Sequence, residues 1–182
     1  KDFDNEIKAK FFHLIEDALS NKFLDWEKND EGSLALILLL DQFTRNVYRG
    51  EKLSFSGDKR ALGISLKCIK KGYLKNFNSD WCQFALIPMM HSEDLNIQNQ
   101  SLPLFLKYTK KRVYDYAIKH QKIISRFNRF PHRNSILDRK STMEEIEFLN
   151  VVSDANIHVT NGMKPYLKRH REKMLRANEQ SN

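Results

Sequence analysis

The chain has 182 residues, 41% of them hydrophobic, with 12 Phe; that is enough to bury one sizeable core and too apolar for a disordered segment. Six Gly and four Pro are too few for a turn-rich all-β fold, and the longest apolar run, residues 34–40, falls far short of the roughly 18 residues a membrane span needs. Half of the formal charge of +8 lies beyond residue 163, where six Lys/Arg stand against Glu172 and Glu179. The body is only mildly basic and carries no base-reading motif, so nucleic-acid binding through the tail is the weakest reading of the charge.

In chain order, Phe3, Ile7, Phe11, Leu14 and Ala18 recur at three and four residues and predict an amphipathic first helix. Asp30 or Ser33 can cap a second helix running to about Tyr48, whose 34–40 run is apolar all round and therefore central and buried. Ser56 can cap a third, stopped by Gly72 after Lys70 and Lys71. Ser79 can cap a fourth, which Pro88 should kink or end. A fifth runs from about Asp94 to Tyr108. A sixth presents Val113, Tyr116, Ala117, His120, Ile124 and Phe127 on one face and ends before Pro131. Ser141 with Glu144, or Thr142 with Glu145, forms a capping box for a short seventh.

No segment alternates apolar and polar residues. The expected fold is all-α, with antiparallel helix pairs in a tetratricopeptide-like array lacking a strict repeat. Residues 1–150 read as one helical domain and 151–182 as an extension, irregular and then a basic helix or flexible tail. Cys68 and Cys82 lie in predicted helices and fit reduced core thiols, consistent with a cytoplasmic protein. The chain begins with Lys1 rather than Met, so no targeting segment is read from it.

Three polar motifs interrupt this apolar background. The first runs from Leu38 through Asp41, Gln42, Arg45 and Asn46 to Arg49; Asp41, Arg45 and Arg49, four apart, share a helix face. The second is His91-Ser92-Glu93-Asp94-Leu95, following the Pro88 break, with Ser92 or Asp94 placed to cap the next helix. The third, residues 126–134, holds Arg126, Arg129, His132, Arg133 and Asn134, with no acid between Asp115 and Asp138. Buried charge is costly unless paired or used. If the motifs converge, Arg45, Arg49, Arg126, Arg129 and Arg133 face Asp41, Glu93 and Asp94, and the positive surplus favours an anion such as phosphate or carboxylate. His91, Glu93 and Asp94 lack zinc-ligand spacing, so neither a metal nor a cofactor is implied. His120 lies on an apolar face and reads as a core histidine; His132, in a turn, is the better proton-transfer candidate, with Glu93 as the alternative.

The three motifs, the third followed by Ile136, Leu137, Arg139, Ser141 and Thr142, resemble the family called domain of unknown function 924 (DUF924) over about residues 3–149. That resemblance implies a tetratricopeptide-like helical protein and brings no activity with it. From the residues alone the first reading is a helical binding or scaffold protein whose polar cleft takes a peptide or small anion. An enzyme using acid/base chemistry on an anionic substrate comes next.

Overall fold

In a computed structural model, residues 2–154 are described. Helix α1 (Asp2–Leu19) leads through a 3₁₀ turn at Leu24–Lys28 into α2 (Asp30–Ile37). A π-helical turn at Leu38–Phe43 carries the chain from α2 directly into α3 (Thr44–Val47). After a 3₁₀ turn at Lys52–Phe55 come α4 (Asp58–Lys70), α5 (Ser79–Met90), α6 (Leu95–Tyr108) and α7 (Lys111–Phe127). A 3₁₀ turn at Pro131–Arg133 precedes α8 (Met143–Asp154). The described residues form no strand, so the fold is all-α. None of its helices is long and apolar enough to cross a membrane. The basic extension expected toward the C-terminus lies outside the described residues, apart from 151–154, which continue α8.

The helix ends follow local chemistry. Asn29 caps α2 by accepting from Gly32 N, Asn78 caps α5 and Asp94 caps α6, each satisfying backbone donors the helix leaves open. Thr142 and Glu145 form the reciprocal capping box at α8. Gly72, with φ of 75°, terminates α4 in the left-handed region. Several expectations need correction. The caps of α2 and α5 are Asn29 and Asn78, each the residue just ahead of the expected Asp30 and Ser79, and α4 follows Gly57 with no side-chain cap from Ser56. Pro88 does not end α5, which continues through it to Met90; the proline removes only its own bond to the Phe84 carbonyl, two residues from the end of the helix. In α1, Phe3 is 65% exposed while Ile15 is fully buried, so the packed face is Ile7, Phe11, Ile15 and Ala18.

As the apolar run predicts, Leu36, Ile37 and Leu40 are fully buried. They join Ile15, Ala18, Ala61, Ile64 and Cys68 in one core cluster. A second cluster links α5 to α6 and α7 through Leu86, Met89, Phe105 and Ala117. Links as short as Thr109-Lys110 oblige successive helices to turn back on one another, and α4 on α5, α5 on α6 and α6 on α7 pack as such neighbours, compatible with the expected array. Both cysteines are buried free thiols.

The π turn is the irregular element on which the polar residues depend. A π turn displaces its carbonyls from the regular ladder, and such turns concentrate at functional positions. Here the carbonyls are each engaged: Leu39 O accepts from Thr44 N, Leu40 O from the Thr44 hydroxyl at 2.7 Å, and Asp41 O from Arg45 at 2.7 Å. Gly57 packs directly on Leu40, and a Cβ there would collide with the Leu40 carbonyl oxygen and carbon. Gly57→Ala should therefore lower stability by about 1–3 kcal/mol, the usual cost of overpacking, read as a drop in the denaturation midpoint at unchanged slope; an unchanged midpoint would mean that the two backbones separate without cost.

Candidate functional site

The π turn aims Asp41 inward, where it is fully buried. Its carboxylate accepts from Gln42 Nε2 and from His91 Nδ1, at 2.8 Å to Oδ1 and 3.1 Å to Oδ2, with Arg45 Nη1 at 3.3 Å. Burial alone would raise the Asp41 pKa, but the Arg45 charge, the neighbouring His91 imidazole and the hydrogen bonds from His91 and Gln42 outweigh it and hold the group well below the usual carboxylate range. Asp41 is therefore an ionised acceptor.

Arg45 turns from Asp41 to Asp58 and forms a fork with it, Nη1 to Oδ1 at 2.8 Å and Nη2 to Oδ2 at 3.1 Å. Arg133 reaches the same carboxylate at 3.3 Å and donates to the His91 carbonyl at 2.9 Å. Its guanidinium lies between the Phe55 and Phe130 rings, 4.8 and 4.6 Å from their centroids, a cation–π arrangement. Burial, aided by the Arg45 charge, pushes the Arg133 pKa down to about 10, so it stays cationic at neutral pH. Its buried Nε finds no hydrogen-bond partner among the described residues. Arg49 forks onto Asp4 of α1, Nε to Oδ2 and Nη2 to Oδ1 both at 2.8 Å, and Asn46 donates to the same carboxylate at 2.7 Å.

These groups border a cavity of about 420 Å³ between the π turn with α3, α5, α7 and the 131–133 turn. Its polar lining is Gln42, Arg45, Asn46, Arg49, Gln83, Arg112, His91, Tyr116, His120, His132 and Arg133; its apolar lining is Phe55, Ile87, Met90, Val113 and Phe130. No described lining residue is acidic. Asp41, Asp58 and Asp4 stand behind the arginines. Arg112, exposed at the start of α7, has no ion pair or hydrogen bond from its side chain among the described residues.

The three motifs thus share one wall system, but not through every residue expected of them. Asp94 turns away to cap α6. Glu93 accepts from Phe130 N at 2.8 Å and binds the Arg139 fork at 2.6 and 3.0 Å. Arg129 forks onto Glu145 at 2.6 and 2.8 Å, Asn134 donates to Glu145 at 3.2 Å, and Arg126 pairs with exposed Glu144. With Arg129 and the Thr142 amide on it, and despite burial, Glu145 titrates down at about 2. This second network pins the 128–142 loop to α8 and lies outside the cavity lining. Arg112, Asp58 and Phe55 were not singled out by sequence; a lone arginine opening a helix and a first-turn aspartate carry no spacing signal. Among the described residues no group of three or more His, Cys, Asp or Glu is arranged to hold a metal ion.

His120 is buried, its Nδ1 2.8 Å from the Tyr116 carbonyl, and it also lines the cavity. Burial, aided by the neighbouring His91 imidazole, pushes its pKa down to about 4. Burial and the Arg133 charge likewise push the half-buried His132 well below its ordinary value. Both imidazoles are therefore neutral in the folded protein near pH 7.

The family described as "Bacterial protein of unknown function (DUF924)" matches residues 1–152, and the chain belongs to it. Among solved structures, a protein of unknown function from Agrobacterium tumefaciens is similar, with a TM-score of 0.78 and 34% identity over 82% of this chain and 84% of that one. No curated protein matches.

Because His120 and His132 are buried neutral, the unfolded chain takes up protons below about pH 6.5 that the folded chain takes up only at much lower pH. Stability should hold above pH 6.5 and fall as pH drops from 6.5 toward 4. The slope from His120 alone is at most about 1.4 kcal/mol per pH unit. The Glu145 contribution is lost only below its ordinary value of 4.5, so the windows separate. Urea unfolding at pH 7.5, 6 and 4.5 checks this; His120→Gln should flatten the slope, and a flat wild-type profile would contradict the neutral burial.

Proposed function

We propose that this member of the family is a helical binding protein whose cavity takes a small molecule with a carboxylate or phosphate head and an apolar body. The observation that carries the reading is the composition of the cavity wall: four arginines and no carboxylate among the described lining residues, beside a floor of Phe55, Ile87, Met90 and Val113. Four arginines against the three aspartates behind them leave one positive charge, and Arg112 is the arginine with no acid in reach. Arginine forks match the paired oxygens of carboxylate and phosphate. Arg133, cationic and between two aromatic rings, contributes to that wall. A volume of about 420 Å³ suits a small molecule, within the roughly 300–1,000 Å³ of such sites, better than a peptide groove. The stacked helix pairs support the tetratricopeptide-like reading of the scaffold, and the two buried free thiols support a cytoplasmic one.

A ligand that binds only the native state raises its melting temperature by mass action. Phosphate, succinate and adipate, titrated at constant ionic strength, should therefore give a saturable rise for at least one anion. Arg112→Gln should weaken that binding about tenfold, the loss of roughly 1.4 kcal/mol from one charge-assisted contact, while leaving unliganded stability within about 0.5 kcal/mol because the residue is exposed. If no anion gives a saturable rise, the arginines serve the fold and the reading fails.

A further inference from the structure

His91 is the one cavity histidine that is both accessible and held by a carboxylate. Its side chain keeps 18% exposure, whereas Asp41 keeps none. An ionised carboxylate can only accept, so the contact at 2.8 and 3.1 Å makes Nδ1 the protonated nitrogen of the neutral ring. The basic lone pair is then on Nε2, which makes no hydrogen bond to the protein among the described residues. Gln42 and Arg45 fix Asp41 in turn, and Arg133 holds the His91 carbonyl. A base oriented by a buried acid is the arrangement that general-base catalysis requires. No serine, threonine or cysteine lies among the described lining residues, which leaves water as the nucleophile.

We propose that the cavity is a hydrolytic site in which the His91–Asp41 pair activates water against an ester of a molecule anchored by its carboxylate on Arg112 and Arg133. The inference rests on the anion-binding reading above. As the water oxygen bonds to the acyl carbon, a water proton passes to His91 Nε2. The acyl carbon–oxygen bond to the alcohol then breaks, and the Nε2 proton goes to the departing oxygen, giving acid and alcohol. Asp41 keeps its charge throughout and acts as a positioning residue, stabilising the imidazolium. The groups facing His91 are Asp41 and Arg45 from the π turn and α3, His120 from α7, and His132 and Arg133 from the 131–133 turn.

The test uses the full chain with mono(4-nitrophenyl) adipate and its neutral counterpart 4-nitrophenyl hexanoate, following nitrophenolate release. The anionic ester should be hydrolysed saturably, with kcat/KM at least tenfold above the neutral one. His91→Gln should lower kcat at least 100-fold, within the usual contribution of a general base, while adipate still raises its melting temperature. Arg112→Gln should raise KM. Asp41→Asn, where it folds, should lower kcat and displace the acidic limb of the pH–rate profile, which a merely structural role would not do. If adipate stabilises wild type and His91→Gln alike but their hydrolysis rates coincide, the catalytic proposal is overturned and anion binding stands. If phosphate or succinate gives a saturable shift in wild type but adipate does not, the hydrolytic proposal is overturned and anion binding stands; if none of the three does, both fall.

Discussion

A single buried carboxylate organises this protein. Asp41 has no solvent to share its charge, so everything around it must. Gln42 and Arg45 answer from its own helix and His91 from the end of α5. Arg45 needs a second acid, which Asp58 at the head of α4 supplies, and Asp58 in turn receives Arg133. One desolvated charge thus draws three segments distant in sequence to a common point. Removing one partner from such a buried set costs about 3–5 kcal/mol, so the site and the fold are not separable there.

The second polar network has the opposite character. Glu93, Arg139, Asn134, Glu145 and Arg129 satisfy one another through forks and backbone contacts, and they fasten the loop after α7 onto α8. Glu93 takes the Phe130 amide, which sets the ring on which Arg133 lies. The residues that look most like a ligand set in sequence therefore act one step behind the cavity, holding the aromatic and cationic walls at their spacing. Buried forks of this kind contribute more to a unique loop geometry than to net stability.

Helix positions were legible because their signals are local: apolar spacing, the Asp94 cap, Gly72 at a C-terminus, the capping box at Thr142; the Asn29 and Asn78 caps lie one residue ahead of those the sequence suggested. That charge on apolar helices must be answered from elsewhere was also legible, and the partners of Arg49 and Arg129 do come from other elements. Which acid meets which arginine was not, because Asp4 and Asp58 carry no pattern that distinguishes them from any solvated aspartate. The π turn was invisible as well. Residues 38–43 have the composition of ordinary helix; the bond of the Thr44 hydroxyl to Leu40 O and the close packing of Gly57 on Leu40 accompany the turn and leave no pattern in the sequence.

That extra residue has a consequence for how the protein can change. A regular helix advances about 100° per residue and a π turn advances less, so the turn houses its extra residue while keeping the apolar face upstream in phase with the Arg45, Asn46 and Arg49 face downstream. Substitutions within it alter single contacts. Loss of one residue would restore an unbroken α-helix, favourable in isolation, with the downstream face nearly in phase, so Arg45 and Arg49 would keep their direction toward Asp58 and Asp4 while the displaced carbonyls returned to the regular ladder. A further insertion is the opposite case: it would add about 100° and carry Arg45 off Asp58 and Arg49 off Asp4 together, so the segment can lose a residue far more easily than it can gain one.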